Sequence, residues 1–255
     1  MSGDETEDGP DAEQAELSPE SIESVSAKPI FVKDVGVPNS SNAWWGESDG
    51  GLYLVKEQTH NELVSEAVAS LLGRVIGLQV PLGKIWQDAD AGVDYWLSPQ
   101  ISIAQHWDLD DWPLVANAED FAMMLVLDAV IGNADRHSRN VLLVPSPDHT
   151  FTAWFIDHSN SAVGSAHGIE DLALGMNPEF KIPDGLPVAQ LAGPAEIAAQ
   201  RVASSRWRIQ RAVEAALSSI PSLPPDERAT ILSLVVARCA DAKRITEEYI
   251  SRIQA

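Results

Sequence analysis

Asp135 and Asn140 stand five residues apart in Gly132-Asn133-Ala134-Asp135-Arg136-His137-Ser138-Arg139-Asn140, and a second acid, Asp157, closes the apolar run Trp154-Phe155-Ile156. Phosphoryl transfer needs such a set. One acid orients the attacking hydroxyl, while an amide and a second carboxylate hold magnesium against the phosphates of ATP. On that reading Asp135 serves the acceptor, and Asn140 and Asp157 take the metal. Asp-x-x-x-x-Asn by itself is common and describes a polar turn beside a helix equally well. Its weight comes from the pieces that accompany it.

Those pieces must bring the three residues to one place. Residues 141–144 and 151–156 read as two strands, joined by the turn Pro145-Ser146-Pro147-Asp148. The hairpin would return Asp157 to the end where Asn140 sits. Upstream, Leu52-Tyr53-Leu54-Val55-Lys56 alternates as a strand, which puts Lys56 on the face of Leu52 and Leu54. A lysine there needs a buried partner or an anionic ligand, unless the strand ends and it reaches solvent. Residues 61–76 read as a helix with the apolar stripe Val64, Val68, Leu71, Leu72 and Val75. Glu62 and Glu66 lie on the other side. Small neighbours, Ala69, Ser70 and Gly73, surround Glu66 and suggest close packing, so Glu66 is placed to meet Lys56. A solvent-facing Glu66 is the competing reading. Between residues 38 and 46, Ser40 and Ser41 offer donors for phosphate oxygens, although a surface turn explains them as well.

Composition narrows the class. At 255 residues the chain can bury one good core, or two small lobes around a cleft. The formal charge of −21 argues against nucleic acid or an anionic membrane as the main partner. No run reaches transmembrane length and no signal-peptide pattern opens the chain, so a cytoplasmic location is expected. Residues 1–26 are acidic and poor in large apolar side chains, and are expected to be a disordered tail. The single cysteine, Cys239, reads as a buried helical residue.

The remaining segments supply the frame. Residues 29–32, 85–86 and 95–97 are strand candidates, and Ser98-Pro99-Gln100 is the expected crossover between lobes. Residues 106–112 read as an exposed loop or short helix. A helix is expected over 118–131 with Asn117 as its N-cap. Asp128 lies inside its apolar stretch and must be paired, with Arg136 or loop amides as candidates. Two long helices, over 194–219 and 225–253, are expected to close the chain. Arg201, Arg208 and Arg211 fall on one solvated face of the first.

Taken together, Tyr53-Leu54-Val55-Lys56, Glu66, Gly77-Leu78-Gln79-Val80-Pro81, the stretch from Asp128 to His137, Asn140 and Ile156-Asp157-His158 resemble the HipA-like kinase family. A more distant resemblance runs to the phosphatidylinositol 3- and 4-kinases. The likeness covers residues 52–157 well and the last helices loosely. It implies a two-lobed, protein-kinase-like α+β fold, with a small antiparallel-sheet N-lobe carrying one helix over 27–104 and a mainly helical C-lobe over 105–255. It also implies Lys56 on the ATP phosphates, Glu66 paired with it, Asp135 as base, and Mg²⁺ on Asn140 and Asp157. A protein Ser/Thr acceptor is the first expectation. A small-molecule or phosphoinositide-like kinase and a nucleotide-binding pseudokinase are the alternatives. Antibiotic kinases usually introduce this loop with His-Gly-Asp, and this chain has Asn133-Ala134-Asp135. Full-length HipA-type toxins carry a sizeable N-terminal region with no counterpart here, so no antitoxin partner is expected.

Overall fold

The structure is a computed structural model and describes residues 20–35, 42–173 and 180–254. Ser40 and Ser41 lie outside the described residues.

The first part of the chain builds a six-stranded sheet. Its strands are β1 (Glu23–Val25), β2 (Ile30–Asp34), β3 (Ala43–Ser48), β4 (Gly51–Gln58), β5 (Lys84–Asp88) and β6 (Val93–Pro99). They lie in the order β1-β5-β6-β4-β3-β2. All pairs are antiparallel except β1 with β5. Residues 20–26, expected as part of the tail, are folded onto this sheet. Ile22 and Val25 are buried, β1 adds an edge strand, and Glu20 pairs with Arg74. Two apolar side chains at the end of an acidic run sufficed to dock it.

The two faces of this sheet bury different things. Val25, Val55, Trp86 and Leu97 form an outer cluster, with Trp86 stacked on Tyr95 at 4.6 Å between ring centroids. The other face carries Ile85 and Trp96 into the main core against helix α1 (His60–Val75). Lys56 is the register partner of Trp96, so it shares this inner face.

A capping box sets where α1 starts. Thr59 Oγ1 accepts from the Glu62 N–H at 3.3 Å, and Glu62 Oε2 accepts from the Thr59 N–H at 2.7 Å. From Leu63 to Gly73 every residue of α1 is buried. The small side noted in the sequence faces chain rather than water. Ser70 donates to the Pro81 carbonyl at 2.8 Å, and a side chain at Gly73 would strike Val80.

The second part is mainly helical. A short strand β7 (Gln105–His106) pairs with the hairpin β8 (Val141–Pro145) and β9 (Phe151–Phe155). The segment between β7 and the next helix holds a short 3₁₀ turn, Leu109–Leu114, with Trp107 buried against Phe121 and Val115 also in the core. Helix α2 (Ala118–Ile131) runs through the centre and ends at Gly132 in the left-handed region, φ 67°. Asn117 does not cap it through its side chain. That side chain instead grips β9, accepting from the Ala153 N–H at 2.7 Å and donating to the Ala153 carbonyl at 3.0 Å.

The expected two closing helices are four. After α3 (Ala166–Ala173) come α4 (Val188–Ser204), α5 (Arg206–Ser218), α6 (Pro225–Ala240) and α7 (Ala242–Ile253). Breaks at Ser205 and Asp241 let α4 pack on α2 and α7 while α5 turns onto α1. A straight 26-residue helix would run about 39 Å and overshoot one of these partners. Neither break carries Gly or Pro, so periodicity alone runs through both. Arg201 therefore belongs to α4, and Arg208 and Arg211 to α5, all three exposed. Cys239 is buried in α6, and burial pushes its thiol up to about 12.

Candidate active site

The site stands on one buried ion pair. Arg136 and Asp128 are both fully buried, joined at 2.9 Å and 3.0 Å. Burial disfavours the guanidinium, but Asp128 outweighs it and holds Arg136 above its ordinary range. The same guanidinium donates to the carbonyls of Asn140 at 3.1 Å and Ile156 at 2.7 Å. Asn133 Nδ2 completes Asp128 at 2.8 Å. One planar cation thus ties α2, the loop and the two inner ends of the β8–β9 hairpin together. Asn140 and Asp157 are fixed relative to each other by this tie and by the Ile156 N–H bond to the Asn140 carbonyl at 3.0 Å.

Lys56 reaches this point from β4. Its Nζ lies 3.2 Å from Asp157 Oδ2 and 3.8 Å from Glu66 Oε1. The Glu66 partnership expected from sequence is present, but Asp157 is the closer partner. Burial works against the ammonium, and Asp157 with Glu66 reverses that, so the Lys56 pKa is raised. Burial also acts on Asp157, but Lys56 and Ser159 overcome it and hold the carboxylate below its ordinary range. Glu66 differs. Its burial dominates, Lys56 draws it back only in part, and its carboxyl is pushed up to about 7.

Glu66 also has a role that the sequence did not signal. Its Oε2 accepts from the backbone N–H of His158 at 3.2 Å. It therefore holds the residue after Asp157 as well as the lysine beside it. Asp157 itself sits at φ 58°, in the left-handed region. Its carboxylate accepts from Ser159 Oγ at 2.9 Å. His158 is buried, and burial together with the nearby Arg136 holds its imidazole well below the usual range, hence neutral.

Asp135 faces the other end of the loop. Its backbone carbonyl accepts from Asn140 Nδ2 at 2.7 Å, which turns the Asn140 amide nitrogen inward. Its carboxylate is partly exposed and meets Lys181 Nζ at 2.6 Å and Asn160 Nδ2 at 3.2 Å. His137 Nε2 stands 3.8 Å away. Lys181 and Asn160 were not legible as site residues. Lys181 lies 46 positions downstream in a Pro/Gly-rich turn region, and nothing local marks it.

The geometry brings Lys56, Glu66 and Asp157 together, while the Asn140 side chain bonds the Asp135 backbone and the Asp135 carboxylate meets Lys181 and Asn160. Asp157 and the Asn140 side-chain carbonyl are hard oxygen donors. Among the described residues no group of three or more His, Cys, Asp or Glu side chains could hold a metal unaided. One carboxylate and one amide suit Mg²⁺, which completes its shell with water and nucleotide phosphates rather than a protein cage.

No family model matches the chain, and no curated protein matches it by sequence. Solved structures do match. The Helicobacter pylori proinflammatory kinase CtkA superposes with a TM-score of 0.61 at 14% identity, covering 86% of this chain and 96% of that one. HipA from Shewanella oneidensis MR-1, solved with HipB and operator DNA, gives 0.52 at 13% identity, covering 86% and 67%. The sheet with its one buried helix, the helical second part and these two likenesses together give the chain a HipA-like kinase fold.

Proposed function

We propose that this chain is an ATP- and Mg²⁺-dependent phosphotransferase acting on a hydroxyl, with protein serine or threonine as the first acceptor class. The observation that carries the reading is the convergence of Asp157, just past β9, and Glu66 of α1 on the Lys56 ammonium of β4, at 3.2 Å and 3.8 Å. A buried Lys56–Glu66 pair that also meets Asp157 is costly unless it serves an anionic ligand and its counter-ion.

Each residue then has a distinct task. Asp157 and Asn140 would hold Mg²⁺, which when bound neutralises the triphosphate and aligns its last phosphoryl group. Lys56, released from Asp157, turns to the nucleotide phosphates and stays anchored by Glu66. Glu66 sets both the lysine and the backbone after Asp157. Asp135 accepts the hydrogen bond of the acceptor hydroxyl and orients it. The two-residue bridge through Asn140 Nδ2 and the Asp135 carbonyl keeps base and metal end in register.

The test uses γ-labelled ATP. Purified protein with Mg²⁺ should release ADP and label either itself or proteins of a host lysate, and Asp135→Ala should do neither. Mg·ATP binding with no transfer to any protein or to water would instead make the chain a nucleotide-binding module.

A further inference from the structure

We propose that Lys181 is the acceptor-side cation of the transfer reaction, a catalytic residue paired with Asp135. The inference rests on the phosphotransferase reading and adds to it a residue with no place in the five-residue set. Lys181 Nζ lies 2.6 Å from Asp135 Oδ1. A surface ion pair of this kind is often incidental, and Lys181 is 63% exposed. What distinguishes it is how its backbone is held. Asp135 and Lys181 form a parallel bridge, with the Lys181 N–H donating to the Ala134 carbonyl at 3.2 Å. The residue before it, Phe180, packs edge-on to Tyr249 of α7 at 4.6 Å. Three residues after it, the Asp184 N–H donates to Ser138 Oγ and the Asp184 carbonyl accepts from Trp107 Nε1, both at 3.2 Å. The segment is pinned along the loop on both sides of the lysine, so the ammonium is delivered to Asp135 rather than drifting there.

The chemistry follows from the position. A hydroxyl bonded to Asp135 becomes a neighbour of the same carboxylate as the ammonium, so the two lie about 3–5 Å apart. In the transfer the bond between the γ-phosphorus and the β–γ bridging oxygen breaks, and ADP leaves with its electron pair. A new bond forms from phosphorus to the acceptor oxygen, whose proton passes to Asp135. The moving phosphoryl carries negative charge on its three equatorial oxygens throughout. Lys56 meets that charge from the donor side. Lys181, a cation held beside Asp135, meets it from the acceptor side through its charge and keeps its proton. In a chain with 38 acidic and 17 basic residues, a second fixed cation in the cleft also offsets repulsion between the protein and a triphosphate.

The experiment compares wild type, Lys181→Met and Lys181→Arg, using γ-labelled ATP with casein as protein acceptor and ADP release as the water reaction. Mg·ATP affinity is measured by calorimetry on each. Lys181→Met should lower kcat about 30- to 300-fold, the range of one lost charge-stabilising donor. Its Mg·ATP affinity should stay within about threefold and its Tm within about 2 °C, because the side chain is exposed. Lys181→Arg should recover most of the rate, since it restores the charge; a merely structural lysine would give no such split. Full turnover in Lys181→Met overturns the proposal, as does an affinity loss that matches the loss of rate, or an Arg variant as inactive as the Met variant. Wild type that binds Mg·ATP but transfers to neither casein, itself nor water would remove the phosphotransferase reading and this inference with it.

Discussion

The two ends of the proposed site are built by different physics. At the donor end Lys56 and Glu66 are 12% and 5% exposed, held by a strand and a helix, while Asp157 beside them is 36% exposed at the foot of a hairpin. At the acceptor end Asp135 and Lys181 are 28% and 63% exposed, and loops carry them. Burying Lys56 and Glu66 is expensive, so both are paired and their pairing also supports the fold. Charges at the second end are screened and contribute little to stability. The difference teaches where substitutions should act. Donor-end changes disturb chemistry and structure together, whereas acceptor-end changes should disturb chemistry alone.

The largest contrast should come from Asp157→Ala. It removes the only carboxylate proposed for the metal and leaves the buried Lys56 with Glu66 alone. Phosphoryl transfer should fall about a thousandfold or more, with a clear loss of Mg²⁺-dependent nucleotide binding. Calorimetry beside a γ-phosphate transfer assay would check both, and intact metal-dependent binding in this variant would break the comparison.

Beneath the donor end, Asp128→Ala strands the buried Arg136 guanidinium. A broken buried pair costs about 3–5 kcal/mol, so chemical denaturation should show a large drop in midpoint with little change in slope. A change under about 1 kcal/mol would mean that the Arg136 tie is not what holds the loop to the hairpin.

The N-terminal boundary offers a smaller effect. Deleting residues 1–19 should leave Tm nearly unchanged. Deleting 1–25 removes Ile22 and Val25 from buried positions, each contributing about 1.5–3 kcal/mol as an upper range. Tm should then drop by several degrees, and equal melting of the two truncations would show that β1 contributes nothing.

The smallest effect is a pH slope. Glu66 has its carboxyl raised from an ordinary 4.5 to about 7 by burial. A raised folded-state pKa means that the folded state binds the proton more tightly than the unfolded one. That contribution is fully present below about 4.5 and is lost as pH rises through about 7. Nucleotide-free protein should therefore lose Tm across this window, and Glu66→Gln should flatten that part of the slope. A variant with the same slope as wild type would place the titration elsewhere.

The same contrast explains what could be read from sequence. Lys56 and Glu66 sit on regular elements whose periods of two and 3.6 residues report which side chains share a face, and Asp157 stood out as the acid that closes an apolar run. Asn140 was legible because a hairpin must return its strand to where it began. Asp128 announced itself as an acid inside an apolar helix, and Arg136 proved to be its partner. Lys181 and Asn160 meet Asp135 across 46 and 25 positions through loops without period. The helix breaks at Ser205 and Asp241 were hidden for a related reason, since tertiary partners rather than local residues make them. Ile22 and Val25 were hidden by the acidic composition around them.

The division of labour between the two ends is tested most directly by calorimetry of Mg·ATP binding on Asp135→Ala and Asp157→Ala, with phosphoryl transfer measured on the same preparations. Asp135 lies at the acceptor end and should be needed only to orient the nucleophile. Its variant should bind Mg·ATP within about threefold of wild type, a difference of roughly 0.7 kcal/mol, while transfer collapses. Asp157→Ala should lose both. An Asp135→Ala protein whose Mg·ATP affinity falls as far as that of Asp157→Ala would contradict the separation of donor and acceptor ends.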